Sequence, residues 1–323
     1  MPPSPPPFDV AACRARLREG RAALAAAFLA RPRAADYLDR HARLVDATLA
    51  RLSSALSLPD RFCLAAVGGY GRGELFPGSD VDVLLLIPAE PDASEQAALE
   101  RWVQTAWDVG LEIGHSVRTV DACLAEASDL TVETNLLEAR FVWGDAALFR
   151  RFREAFAARF QPLAFFDAKL VEQDHRHQRY DDSAYKLEPN LKDSPGGLRD
   201  LHTLRWLALA CGLDGGWSGL AAAGLLTRGE ARGMAQQETV LSNLRIELHL
   251  LAKRREDRLA FDYQHDLAAR MGCEASEHTR AGERLMQRYY QAAKLVQRAN
   301  DVLIPSLRAR LTPVVAPPQV LDD

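Results

Sequence analysis

Asp80 and Asp82 stand two residues apart in Gly78-Ser79-Asp80-Val81-Asp82-Val83, ahead of the apolar run Leu84-Leu85-Leu86. The Val and Leu content, ended by Pro88, predicts a strand over Val81–Ile87. Residues i and i+2 of a strand share a face, so both carboxylates would point one way while Val81 and Val83 anchor the other face in a core. Two carboxylates on one face suit Mg²⁺ (or Mn²⁺), which takes oxygen ligands together with substrate phosphates. With two metals, such a site stabilises the entering and leaving oxygens of a phosphoryl-type transfer. Just upstream lies Gly68-Gly69-Tyr70-Gly71-Arg72-Gly73. Its glycines allow a tight turn and a close backbone approach to a ligand, and its amides can cradle phosphates. Ser79 adds a hydroxyl that can bond a phosphate oxygen. Arg72 could clamp a phosphate with its guanidinium fork or pair with Glu74. The glycine spacing is not G-x-G-x-x-G, and no Gly-Lys-[Ser/Thr] follows, so the Rossmann fingerprint and the Walker-type loop are both excluded.

Phe62–Val67 reads as a buried strand that ends at the glycine turn, and Leu111–Val117 as a third strand. Ala93–Val109 has the period of an amphipathic helix. Before these elements, Asp9 to Leu56 is rich in Ala, Leu and Arg and is split into two helices by Pro32. After Asp121 the pattern is almost entirely helical, with Gly and Pro breaks near Gly144, Pro162, Pro189–Gly197 and Gly212–Gly219. The expected fold class is α+β: a small mixed sheet with helices, followed by a mostly α-helical domain. The expected boundaries are a helical segment over 1–58 with a Pro-rich start, a catalytic domain over 59–145, a helical domain over 146–311 and a Pro-rich tail over 312–323.

The chain has 323 residues, 48% of them hydrophobic and 26% charged, with a net charge of −4. That composition is globular, and the acidic balance argues against a nucleic-acid partner. Cys13, Cys63, Cys123, Cys211 and Cys273 lie far apart, which predicts reduced thiols and a cytoplasmic setting rather than a disulfide framework or structural zinc. Trp206–Thr227 carries only Asp214 as an ionised group, but Gly212–Gly219 breaks it. It reads as two buried helices and a loop, and no membrane association is expected.

The Gly-Gly turn leading to Asp-x-Asp resembles the nucleotidyltransferase superfamily of the DNA polymerase β type. Further segments narrow the resemblance: Lys186-Leu-Glu-Pro-Asn-Leu-Lys-Asp-Ser-Pro-Gly-Gly-Leu-Arg-Asp-Leu-His-Thr203, Gly110-Leu-Glu-Ile-Gly-His-Ser-Val-Arg118, Leu137-Glu-Ala-Arg140 and Arg254-Arg-Glu-Asp-Arg-Leu259. These look like bifunctional PII uridylyltransferase/uridylyl-removing enzymes, from about residue 60 to 300. The resemblance implies transfer of UMP from UTP to a tyrosine hydroxyl of the PII nitrogen-signalling protein, releasing pyrophosphate with a divalent metal. It would make Asp80 and Asp82 the metal ligands and would set Gly68, Gly69 and Ser79 on the triphosphate. The superfamily's third carboxylate would be Glu112, which could equally be an ordinary strand-end glutamate. Base selectivity is carried by no residue pattern here, so adenylylation of another acceptor is the alternative, and a binding module without turnover is a third reading. Full-length members of the family continue into an HD hydrolase domain and two ACT domains. The chain ends at Asp323, before either, so uridylyl-removing activity is expected to be absent from it.

Outside that core, Lys186, Lys192 and Arg199 with Asn190 form a second candidate for nucleotide or PII contact, or else a well-capped connector. Arg254, Arg255 and Arg258 fall on an expected helix and read as a solvated face. His175 and His177 read as surface residues. His265-Asp266 matches the HD dipeptide by coincidence, and His115 would lie near the site only if the third strand forms.

Overall fold

The structure, a computed structural model, describes residues 8–180, 183, 186–277 and 279–312. The Pro-rich start and most of the tail therefore lie outside the described residues. The chain divides into two compact units. The first is Met1–Phe160 with Ser242–Leu259, and the second is Gln161–Leu241 with Ala260–Asp323.

The first unit is built on four strands, β1 (Cys63–Ala66), β2 (Val81–Leu86), β3 (Ile113–Arg118) and β4 (Arg140–Gly144), in the order β3-β2-β1-β4. β1 runs antiparallel to β2 and β4, while β2 and β3 are parallel. The α+β class with a small mixed sheet is thus what the sequence predicts. β4 is an addition to it, because that edge falls where the sequence reads as helix.

Alternation along β2 sends its apolar residues into two layers. Val81, Val83 and Leu85 pack with residues of α1 (Val10–Ala30), α2 (Ala34–Ala55) and α4 (Ala93–Val109), among them Val45, Leu49 and Trp102. Leu84 and Leu86 pack on the opposite face with Cys123 of α5 (Val120–Glu126), Leu136 of α6 (Leu130–Leu137) and Phe152 and Phe156 of α7 (Ala146–Arg159). A four-residue turn of helix, α3 (Gly68–Gly71), leaves the end of β1.

The parallel β2–β3 pair needs a crossover, and α4 supplies it. Asp92 caps its start with bonds from the Ser94 and Glu95 amides, and Glu95 bonds back to Asp92 in a capping box. Gly110 ends it in the left-handed conformation at φ +95°, which favours glycine. The chain then enters β3 three residues after Gly110, so α4 sets where Glu112, just before the third strand, is placed.

The second unit is helical: α8 (Pro162–Gln178), α9 (Leu198–Ala210), α10 (Trp217–Ala222), the first part of α11 (Arg228–Ala252), α12 (Phe261–Arg270) and α13 (Ala281–Leu311). α9 and α10 are the two helix pieces expected within Trp206–Thr227, and Pro162 opens α8 at its first turn. Among the described residues no helix is long and apolar enough to cross a membrane. All five cysteines are free, four of them buried.

Candidate active site

The glycine turn and the two aspartates meet at one end of the sheet. Gly68 adopts φ +57°, and a Cβ built there would lie 3.0 Å from Asn135 Oδ1 and 3.6 Å from Asp82 Oδ2. Asp82 pairs in register with Gly114 of β3, and a Cβ on Gly114 would lie 2.5 Å from Asp82 Oδ1. The Asp82 carboxylate therefore occupies a cradle that two glycines keep open. The next residue of β3, His115, pairs with the core residue Val83, so it belongs to the opposite face from Asp82.

Asp80 differs from the expectation of a strand residue. β2 begins at Val81, and Asp80 lies just before it, half-exposed, with its Oδ2 3.2 Å from Arg255 Nη1. Glu112 likewise precedes β3, and its carbonyl accepts from the Val81 amide at 2.8 Å. Among the described residues no group of three or more His, Cys, Asp or Glu side chains is placed to hold a metal together, so Glu112 does not complete a trio with the aspartates. It lines a cleft of about 190 Å³ shared with Arg21, Tyr37, His41, Pro77, Gly78, Ser79, Gly110 and Leu250.

Of the two roles open to Arg72, the structure shows ion pairing. Its Nη1 donates to both oxygens of Glu138, at 2.6 and 2.7 Å, and its Nε donates to Glu74 at 3.1 Å. Burial opposes the guanidinium's charge, but Glu138 and Glu74 outweigh it and hold its pKa above the ordinary value. The pair fastens α3 to the residue that follows α6. Gly71 is needed for that approach, since a Cβ there would lie 2.4 Å from the Glu138 carbonyl.

The turn before Asp80 is held by residues that the sequence reading passed over. His249 Nδ1 bonds the Pro77 carbonyl, and its Nε2 faces Asp257 Oδ1 at 3.1 Å. Arg245 donates to the same Asp257 carboxylate and stacks 4.1 Å from the centre of the Phe76 ring. Burial pushes the Asp257 carboxyl up, but the His249 hydrogen bond and the Arg245 charge outweigh it and hold the pKa below the ordinary range. α11 ends at Ala252, and Lys253 turns the chain at φ +53°, so Arg254, Arg255 and Arg258 are not on a helix. Gly78, at φ +67°, packs against the Arg255 amide nitrogen, 2.9 Å from where its Cβ would stand. The contacts that bring His249 to Pro77 and Arg255 to Asp80 span 172 and 175 residues, so no local pattern could announce them.

Lys186 and Lys192 belong to the second unit, in the connector between α8 and α9. The Lys186 ammonium lies 5.6 Å from the centre of the Tyr180 ring, and its carbonyl accepts from the Tyr290 hydroxyl. The connector is bonded internally. Asn190 Oδ1 accepts from the Lys192 and Asp193 amides, and Ser194 Oγ accepts from the Asn190 amide. Asp200, fully buried, accepts from the Gly196 amide, Gln173 and Arg176. His177 Nε2 lies 2.9 Å from the same carboxylate, which corrects its reading as a surface residue, whereas His175 is exposed. His265 and Asp266 are both exposed on α12.

Residues 51–120 match the family model of the nucleotidyltransferase domain, and residues 164–304 match that of GlnD PII-uridylyltransferase. A bifunctional uridylyltransferase/uridylyl-removing enzyme of Thiobacillus denitrificans is 70% identical over 311 residues, covering 96% of this chain and 37% of the relative. Relatives with the same description from Bordetella avium and Nitrosospira multiformis are 49% and 47% identical, each over 95% of this chain and 36% and 35% of their own lengths. The chain thus spans little more than a third of the curated relatives it matches. With a nucleotidyltransferase-domain match at the glycine turn and a GlnD match over the helical unit, the chain is similar, over nearly its whole length, to a part of the bifunctional uridylyltransferase/uridylyl-removing enzymes.

Proposed function

We propose that the chain is a metal-dependent nucleotidyltransferase that moves UMP from UTP to a tyrosine hydroxyl of the PII protein and releases pyrophosphate. The observation that carries this is the Asp82 cradle: a strand carboxylate between Gly68 and Gly114, two residues from Asp80, beside a glycine turn. The donor set is all oxygen, which suits a hard cation such as Mg²⁺ or Mn²⁺ held by Asp80 and Asp82, with Gly68 and Gly114 leaving the Asp82 carboxylate its place. Bound there, the cation would supply charge neutralisation at the phosphates and at the acceptor oxygen.

The chain's own groups do the rest. The Gly68 and Gly69 backbone and the Ser79 hydroxyl bind triphosphate oxygens. Asp80 would leave its Arg255 partner to hold the cation, and that exposed pair is worth little to stability. The acceptor oxygen bonds to the α-phosphorus as the bond to the pyrophosphate oxygen breaks, and Glu112, at the entry to β3, is the candidate to take the phenol proton. Positioning and charge placement then supply most of the acceleration. Lys186 and Lys192 are the second unit's candidates for nucleotide contact, on the chemistry of their ammonium groups alone. Arg72 is assigned to holding α3 rather than to the phosphates.

The test offers PII, Mg²⁺ and α-labelled UTP or ATP to the chain. Label on PII from UTP, and none from ATP, is the expected result. Equal labelling from ATP would overturn the uridylyl assignment, and labelling of other proteins in place of PII would overturn the acceptor.

A further inference from the structure

We infer that Arg21 of α1 is a positioning residue, which fixes the two segments that carry Asp80 and Glu112 relative to each other. The nucleotidyltransferase match begins at residue 51, so Arg21 lies outside it.

The case rests on a chain of hydrogen bonds. Arg21 Nη1 donates to the Gly110 carbonyl at 3.2 Å, two residues before Glu112. Arg21 Nε donates to His41 Nε2 at 3.2 Å. A guanidinium has only donors, so His41 Nε2 must accept, and the imidazole proton sits on Nδ1. Nδ1 then donates to the Leu75 carbonyl at 2.9 Å, on the segment that leads to Ser79 and Asp80. One side chain of α1 thus reaches the entry to β3 directly and the entry to β2 through a neutral, buried histidine. Arg14, two helical turns earlier on α1, donates to the Asp108 carbonyl and holds the same α4 terminus.

The product of this bracing is visible between the two segments. The Val81 amide donates to the Glu112 carbonyl at 2.8 Å, the first rung joining β2 to β3 at the aspartate end. At the far end of the pair, the Ile87 amide donates to the Arg118 carbonyl at 3.0 Å and lies nowhere near Arg21 in the ladder. Arg21 also faces the cleft shared by Ser79 and Glu112, and no carboxylate is within salt-bridge distance of it among the described residues. Burial holds the Arg21 guanidinium below its ordinary pKa, and Tyr37 and Glu112 offset only part of that cost.

The functional consequence rests on the proposed transferase reading, but the placement itself is tested without it. Arg21→Met in the full chain removes both donors. Amide hydrogen exchange, resolved by residue, then compares Val81 with Ile87. The expected result is exchange about tenfold or more faster at Val81, with Ile87 within about twofold, because local opening reports the stability of its own segment. Arg21→Lys, able to satisfy one acceptor at a time, should fall between. A purely structural role would speed both amides together, and that outcome, or an unchanged Val81, overturns the inference. In the transfer assay the same variant should lose about tenfold in kcat with KM for UTP within about threefold. A raised KM with kcat intact would overturn the positioning role. Absence of transfer by the unmodified chain would refute the transferase reading instead, while the exchange comparison still decides the placement.

Discussion

An alanine at 114 would place its Cβ 2.5 Å from Asp82 Oδ1. A carbon and an oxygen meet comfortably at about 3.3 Å, so the carboxylate must retreat by about 0.8 Å or swing to another rotamer. The atom in the way is the end of a flexible side chain, and Gly114 does not need left-handed backbone. The fold should therefore tolerate Gly114→Ala. Loss of glycine's unfolded-state entropy offsets part of the strain, leaving a net change within about 1 kcal/mol. For a unit of this size that is a shift in melting temperature of about 2–4 °C. Activity should respond differently. A misplacement of about 1 Å at a reacting centre costs on the order of 100-fold, so kcat for label transfer to PII should fall by about that factor. Circular dichroism melting and the transfer assay, run on the same preparation, separate the two effects. Transfer within threefold of the unmodified chain, with an unchanged melt, would refute the idea that chemistry needs Asp82 in its cradle. Gly71→Ala is the contrasting control. Its Cβ meets the Glu138 and Ala66 carbonyls at 2.4 and 3.0 Å, both backbone, so stability should fall by about 1–3 kcal/mol.

Arg72→Met should destabilise the first unit by about 3–5 kcal/mol in urea unfolding, because it removes the guanidinium from the buried pair with Glu138. The His41 imidazole is pushed down to about 4, by burial and then by Arg21 against the Leu75 bond. The folded state thus binds fewer protons than an unfolded histidine titrating near 6.5. The contribution is complete above about pH 6.5 and is lost as the pH falls toward 4. Urea midpoints should fall over that window, and His41→Gln should flatten the slope. The Asp257 carboxyl is held low, so its contribution is complete above about pH 4 and is lost on further acidification. Asp257→Asn should lower stability at neutral pH and make the acid limb shallower.

What the sequence discloses is what local chemistry decides. α4 runs from Ala93 to Val109 as its periodicity predicts, because Asp92 and Gly110 cap it with the residues each end requires. β2 is legible because Val81, Val83 and Leu85 alternate with residues of the other face. Asp80 and Asp82 are legible by type and spacing, although Asp80 precedes the strand. β4 is not legible: Arg140–Gly144 is short and opens with an arginine, and it is a strand because it pairs with β1, which lies far earlier in the chain. The same reason hides the site's supports. Gly114 matters through its pairing with Asp82, Asn135 through its approach to Gly68, and Arg255, His249 and Asp257 through contacts with the turn at 76–80. Arg72 has the chemistry of a phosphate clamp, and only the fold brings Glu138 to it.

The most direct test of the account replaces both aspartates. The unmodified chain and Asp80→Asn/Asp82→Asn are incubated with PII, Mg²⁺ and α-labelled UTP, with melting curves to show that both are folded. The account predicts label on PII from the unmodified chain and none above background from the double variant. Undiminished labelling by a folded double variant would contradict the claim that these two carboxylates carry the transfer.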